Sequence, residues 1–246
     1  MAQPNDLIAV LIDADNVSPA RIGAVLTEIT QYGTASVKRV YGDWTKPQLS
    51  SWKAPASEHV IQPMQQFANT VGKNATDSAL IIDAMDLLYT GRFQAFCIVS
   101  SDSDFTRLAA RIREDGVAVY GFGERKTPGA FRNACDRFTY LEVLDEATTD
   151  AGDTAALKAR VPAAKLRTDG DLVSVLRAAI GTASGDDGWA DLAAVGSLVR
   201  KQRPDFDSRN WGYTKLSDLV REIGLFTVGP RPGGGVRVKI ERRAAS

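Results

Sequence analysis

Two acidic stretches in this chain each follow an apolar run of strand length. Leu7 to Ile12 leads into Asp13-Ala14-Asp15-Asn16, and Phe96-Cys97-Ile98-Val99 leads into Ser100-Ser101-Asp102-Ser103-Asp104. A strand that ends in carboxylates and passes into a helix places them at the carboxyl edge of a sheet, where open α/β folds bind their ligands. A further acid, Asp77, begins an apolar helical stretch. Asp13, Asp77, Asp102 and Asp104, with the amide of Asn16, are therefore expected to converge. Such a set suits Mg²⁺ or Mn²⁺, which take oxygen ligands. A cation there can acidify a bound water and hold a scissile phosphate. Without one the carboxylates repel each other.

Each of these residues also has a purely structural reading. Asp13 or Asp15 could cap a loop, Asn16 could form a turn, and Asp77 could cap its helix. Asp102 and Asp104 could sit favourably against a helix dipole. Asp15, Ser101 and Lys73 are placed in supporting positions. Asp83 joins them because it lies about 120° round the helix from Asp77. The lone His59 reads as structural.

The elements that must position these groups alternate. Strands are expected at 7–12, 35–42, 59–64, 93–100, 117–122 and 138–143. Helices are expected from Ser18-Pro19 to about Tyr32, at 78–89, at 104–114 and at 128–136, with a looser segment around Trp44, Pro47, Trp52 and Pro55. This alternation implies βαβ units in an α/β fold with a parallel, doubly wound sheet. Continuous apolar strands such as Leu7–Ile12 fit a sheet covered on both faces. Residues 147–168 lose their aromatics and read as a linker, partly helical. Beyond it, helices at 172–180, 192–203 and 215–223 precede two strands, 225–228 and 236–240, around a glycine-rich basic tip. That order describes a small winged helix-turn-helix domain over 169–242, after a first domain over 1–146.

The 30 basic and 30 acidic residues cancel, so total charge does not mark a basic nucleic-acid protein. Residues 231–243 are nonetheless strongly basic. Cys97 and Cys135 form no CxxC pair, which argues against a disulfide scaffold or zinc finger and fits a reducing cytoplasm. The N-terminal stretch has no basic n-region, and no apolar stretch reaches ~18 residues, so neither a secretory signal nor a membrane span is expected.

LIDADN at the first strand, KNATDSALIIDAM at the helix and SSDSDF at the fourth strand resemble the NYN domain family, of the LabA and limkain type. The resemblance implies a PIN-like Rossmannoid fold, metal-dependent ribonuclease activity, and a metal held by Asp13, Asp77, Asp102 and Asp104 with Asn16 in support. The segment from Trp189 to Phe226, above all Gly212-Tyr213-Thr214-Lys215-Leu216, resembles the OST-HTH or LOTUS domain, which implies binding to RNA or to a protein partner. Arg200, Lys201, Arg203, Arg209 and Lys215, with Trp211 and Tyr213 among them, are the candidate RNA contacts, since basic residues interleaved with aromatics suit RNA. Trp211 and Tyr213 themselves read more readily as the core of a small domain than as RNA contacts.

Three functions compete at this level. The first is an endoribonuclease using Mg²⁺ or Mn²⁺ on single-stranded RNA. The second is a phosphatase of the haloacid-dehalogenase kind, with Asp13 as nucleophile and Asp15 as general acid/base. The third is a catalytically silent RNA-binding or adaptor protein. A homodimer through the loop around Trp44 and Trp52 is a further expectation.

Overall fold

The structure, a computed structural model, describes residues 6–66, 75–144, 160–231 and 233–241. The chain divides into two compact units, Met1–Thr148 and Thr149–Ser246.

The first unit is built on a six-stranded sheet in the order β3-β2-β1-β4-β5-β6, with every neighbouring pair parallel. Its strands are β1 (Leu7–Asp13), β2 (Thr34–Gly42), β3 (Gln62–Gln65), β4 (Ala95–Val99), β5 (Ala118–Gly123) and β6 (Arg137–Tyr140). The helices are α1 (Ile22–Ile29), α2 (Lys53–Glu58), α3 (Ala75–Tyr89), α4 (Thr106–Glu114), α5 (Gly129–Ala134) and α6 (Leu141–Leu144). This is the expected α/β architecture. The strand order reverses between β1 and β4, the point where a doubly wound sheet opens a crevice.

Strand alternation decides which way each β1 side chain faces. Ile8, Val10 and Ile12 pack with Val25 and Ile29 of α1 and with Trp52. Ala9 and Leu11 pack on the other face with Leu80 and Ala84 of α3 and Leu108 and Ile112 of α4. Burying each Ile or Leu contributes roughly 1.5–3 kcal/mol, so the sandwich fixes the strand tightly. Asp13 continues the Ala9–Leu11 side. A one-residue slip of β1 would carry it to the opposite face, away from α3.

The segment read as loose is ordered. Pro47–Trp52 forms a 3-10 turn that runs into α2. Pro47 opens the turn, and Pro55 falls in the first turn of α2, where a missing N–H breaks no helical bond. This helix displaces the third strand. His59 is the C-cap of α2 rather than a strand residue, and the chain turns at Val60 with φ 53°. β3 therefore begins at Gln62; Pro63 is tolerated because β3 lies at the sheet edge. At the other end, the expected strand through Val143 stops at Tyr140 and becomes α6.

The second unit contains α7 (Ala163–Thr168), α8 (Gly170–Ala183), β7 (Ala190–Asp191), α9 (Leu192–Gln202), α10 (Leu216–Ile223), β8 (Phe226–Pro230) and β9 (Val236–Ile240). The last strands form an antiparallel sheet in the order β7-β9-β8. Three helices and a hairpin appear as expected. Gly224 ends α10 in the left-handed region, with φ 64°. Part of the stretch read as linker is helical: α7 places Leu166, fully buried, in a core with Leu176, Val195, Leu219 and Val238. The hydroxyl of Tyr213 donates to the Val161 carbonyl at 3.0 Å. Residues 147–159 of the expected linker lie outside the described residues.

Candidate metal centre

β1 ends at Asp13, whose carboxylate is only 1% exposed. Oδ2 accepts hydrogen bonds from the Ser100 hydroxyl at 2.8 Å and the Asn16 amide at 2.7 Å, and Oδ1 accepts the Asp15 N–H at 3.1 Å. Ser100 immediately follows β4, and its Oγ accepts the Asp102 N–H at 3.0 Å. One hydroxyl thus ties the carboxyl ends of β1 and β4 together. Asp102 Oδ1 accepts the Asp104 N–H at 2.9 Å and caps a short 3-10 turn leading into α4. Asp77 comes from the first turn of α3. One carboxylate oxygen from each of Asp77, Asp102 and Asp104 lies within 4.8 Å of the others.

The electrostatics fit a cation. Burial and the negative charges of Asp13, Asp102, Asp104 and Asp15 push the Asp77 carboxyl up to about 6. Burial also raises Asp13, against the opposing hydrogen bonds from Ser100, Asn16 and the Asp15 backbone. A group of hard oxygen donors whose mutual repulsion raises one of their own pKa values is the kind of set that Mg²⁺ or Mn²⁺ relieves.

The site residues expected from sequence divide into three groups. Asp77, Asp102 and Asp104 converge. Asp13 and Asn16 stand at the same edge and bond to each other, and Asp13 lies close enough to act on Asp77. Asp15 lies close enough to act on Asp77 and pairs with Lys46 at 3.7 Å. Ser101 turns away to accept the Glu124 N–H at 2.8 Å, holding the end of β5 against the edge. Asp83 bears on the centre only through the helix it shares with Asp77. It pairs with Arg39 and accepts the Tyr41 hydroxyl of β2, which locks α3 onto the sheet. The helix position that separates it from Asp77 points it at β2 instead. Lys73 lies outside the described residues. The residue whose role sequence reasoning missed is Ser100. Its signal was a small hydroxyl directly after a fully buried strand, where only a hydrogen-bonded polar group is tolerated.

In the second unit the basic candidates are less uniform. Lys201, near the end of α9, and Lys215, the N-cap of α10, are exposed. Arg203 pairs with Asp205 at 3.6 Å. Arg209 grips Asp207 through Nη2 at 2.8 Å and Nε at 3.0 Å. Arg200 is partly buried in the last turn of α9. Trp211 packs on Phe206 and donates to Asp169 at 3.2 Å, and Tyr213 is buried, so both are core residues. The wing offers a pair not anticipated, Arg237 stacked over Trp189 at 4.2 Å.

A parallel sheet in this order, with acidic residues at its switch point, is a doubly wound α/β domain whose fold is NYN/PIN-like. The chain belongs to the NYN domain family, which matches residues 7–142, and it carries an OST-HTH/LOTUS domain matched over residues 167–238. It is similar to the crystal structure of a protein of unknown function from Vibrio parahaemolyticus, at 18% identity and TM-score 0.48, covering 57% of this chain and 95% of that one. It is also similar to the solution structure of an uncharacterized protein from Nitrosomonas europaea, at 31% identity and TM-score 0.30, covering 40% of this chain and 94% of that one. The comparison with curated proteins gives no match. Among the described residues no helix is long and apolar enough to cross a membrane.

Proposed function

We propose that this protein is a metal-dependent endoribonuclease that hydrolyses phosphodiester bonds in single-stranded RNA, with its OST-HTH/LOTUS domain holding the RNA. The observation that carries this reading is the convergence of Asp77, Asp102 and Asp104 at the switch point of an NYN sheet. These three residues would hold Mg²⁺ or Mn²⁺. When bound, the cation supplies Lewis acidity and a water of lowered pKa for in-line attack on phosphate.

The chain's own residues do the positioning. Ser100 and Asn16 fix Asp13, and Ser100 also fixes the backbone of Asp102, so the β1 and β4 ends move as one piece. The capped turn orients Asp102 and Asp104 together. Asp83, through Arg39 and Tyr41, sets the helix that carries Asp77. Such preorganisation matters because small displacements of a reacting geometry cost large factors in rate.

The phosphatase reading needs Asp13 as a free nucleophile. Both of its oxygens are engaged, and the side chain is almost fully buried. Asp15, the acid/base of that reading, pairs with Lys46.

The test incubates purified full-length protein with unstructured RNA and Mg²⁺ or Mn²⁺, beside an EDTA control and the Asp102→Asn variant. Cleavage should require the metal and fall by at least roughly a hundredfold in the variant. Cleavage that survives both changes would sink the nuclease reading. Metal binding and RNA binding without any cleavage would favour a silent adaptor.

A further inference from the structure

A cavity of about 750 Å³ in the first unit does not lie in the acidic cluster. It opens beside that cluster, where β2 runs out into the 3-10 turn and α2. Its walls include Trp44, Leu49, Trp52 and Ile61, with Lys46 and Lys53 also lining it. Its size is within the range of about 300–1,000 Å³ typical of small-ligand sites. Among the described residues that line it there are two lysines and no carboxylate.

Three observations bear on what this cavity takes. First, its wall is preorganised. Asp43 is buried and accepts hydrogen bonds from the Thr45 N–H at 3.2 Å, the Thr45 hydroxyl at 2.6 Å and the Gln65 amide at 3.1 Å. Trp44 is held through its backbone N–H by Gln65 at 3.1 Å, and its indole N–H donates to the Met64 carbonyl at 3.0 Å. An aromatic ring fixed this way offers a face at little entropic cost.

Second, Trp52 is 1% exposed, yet its indole N–H has no hydrogen-bond partner. That nitrogen has almost no accessible surface, so Trp52 gives the cavity an apolar wall and not a reachable donor. Third, the cavity wall is continuous with the acidic edge. A Cβ added at Gly42 would lie 2.7 Å from Leu49 Cδ1 and 3.2 Å from the Cβ of Ala14, the residue after Asp13. Lys46 also lines the cavity and reaches Asp15 at 3.7 Å.

We propose that this cavity is a nucleotide subsite: it takes an unpaired base of single-stranded RNA next to the scissile phosphate, stacked at Trp44, with the flanking phosphates on Lys46 and Lys53. An aromatic-walled cavity with cations and no carboxylate matches the two surfaces of a nucleotide, an apolar base and an anionic backbone. The adjacency to cleavage rests on the nuclease reading; the base-binding site itself does not.

The test uses the full-length Asp102→Asn protein with Mg²⁺ and a short single-stranded RNA carrying 4-thiouridine, cross-linked by light and mapped by mass spectrometry. Cross-links should fall on the peptide spanning Trp44 to Lys53 and should be lost in the additional variant Trp44→Ala. Because Asp102→Asn removes cleavage, this arm stands whether or not the protein is a nuclease. In the otherwise unaltered protein, Trp44→Ala should raise KM for RNA on the order of tenfold with kcat little changed. The exposed Lys53→Ala should raise it several-fold without affecting folding. Cross-links confined to residues 189–240, or an unchanged KM in both variants, would overturn the proposal. So would a concentration-dependent dimer that Trp44→Ala abolishes while RNA cross-linking elsewhere persists, which would assign the cavity to a second copy of the chain.

Discussion

The two units treat their charged residues in opposite ways. In the NYN unit, Asp77 from α3 meets Asp102 and Asp104 from the turn after β4, and the conflict appears as an Asp77 carboxyl pushed up to about 6. In the OST-HTH unit, several arginines find an acid close by in sequence: Arg209 with Asp207, Arg203 with Asp205 and Arg221 with Asp218. Charges brought together by topology against their own repulsion imply an external partner. Charges satisfied by a neighbour a few residues away are part of the fold. By this measure the acidic edge is a stronger functional signal than the basic set.

The sharpest way to break that contrast is Asp77→Asn. At the edge it should abolish cleavage, with a loss of at least roughly a hundredfold. It should also make the metal-free protein more stable at neutral pH. The carboxyl titrates at about 6 when folded, against an ordinary value of 3.8. Between those values the native state therefore binds more protons than the unfolded chain, and stability falls as pH rises through the window. Removing the charge removes that penalty, and because Asp77 is only partly buried the gain is discounted to about 1 kcal/mol. Thermal melts in EDTA at pH 7 and pH 5 check this. A variant that is both inactive and less stable at pH 7 would mean that Asp77 is a structural cap.

A second consequence of the same shift concerns the metal. Below pH 6 a proton competes for Asp77, so the affinity for Mn²⁺ should drop by up to roughly tenfold per pH unit. Calorimetric titration at pH 7, 6 and 5 measures it. A flat profile would place the cation away from Asp77.

How far the sequence revealed these features depends on what positioned them. Strand-end acids were legible because a buried apolar run has one direction and one end. Once Leu7–Ile12 and Phe96–Val99 are strands, Asp13 and Asp102 can only stand at the carboxyl edge. Asp83 was not legible, because its partners Arg39 and Tyr41 lie more than forty residues away on β2. The α2 segment was misread because Pro47 and Pro55 look like loop signals, and only the observed turn shows that both sit where a helix start tolerates proline. The linker was read as partly helical, but the bounds of α7 were not legible because Leu166 is its one fully buried residue, too little for a periodic pattern. The cavity beside the edge left no motif at all: its parts come from residues 44–65 and meet only after folding.

The contrast also predicts a division within the basic set. Lys201→Ala and Lys215→Ala remove exposed charges, and each should lower the salt dependence of RNA binding by about one counterion. Arg209→Ala removes a charge already gripped by Asp207, so it should lower the melting temperature while leaving the salt slope nearly unchanged. Binding measured from low to moderate salt separates these outcomes. An equal fall in slope for Arg209→Ala would show that its pair opens to receive phosphate.

The smallest effect sits at the start of α9. Asp191 caps this helix by accepting the Ala193 N–H at 2.7 Å and the Ala194 N–H at 3.3 Å, and it pairs with Arg231 of the wing. These backbone bonds, with Arg231 in support, hold its carboxyl below the usual range. A depressed carboxylate contributes stability that is present above the unfolded value of about 3.8 and is lost as pH falls through the folded value. Asp191→Ala should therefore cost about 1 kcal/mol at pH 7 and progressively less as the medium is acidified below pH 4. Asp191→Asn keeps most of the cap but not the ion pair, so it should recover most of the loss. If Asn recovers none of it, the attraction to Arg231 outweighs the cap, and the wing is held to α9 by charge instead of by backbone hydrogen bonding.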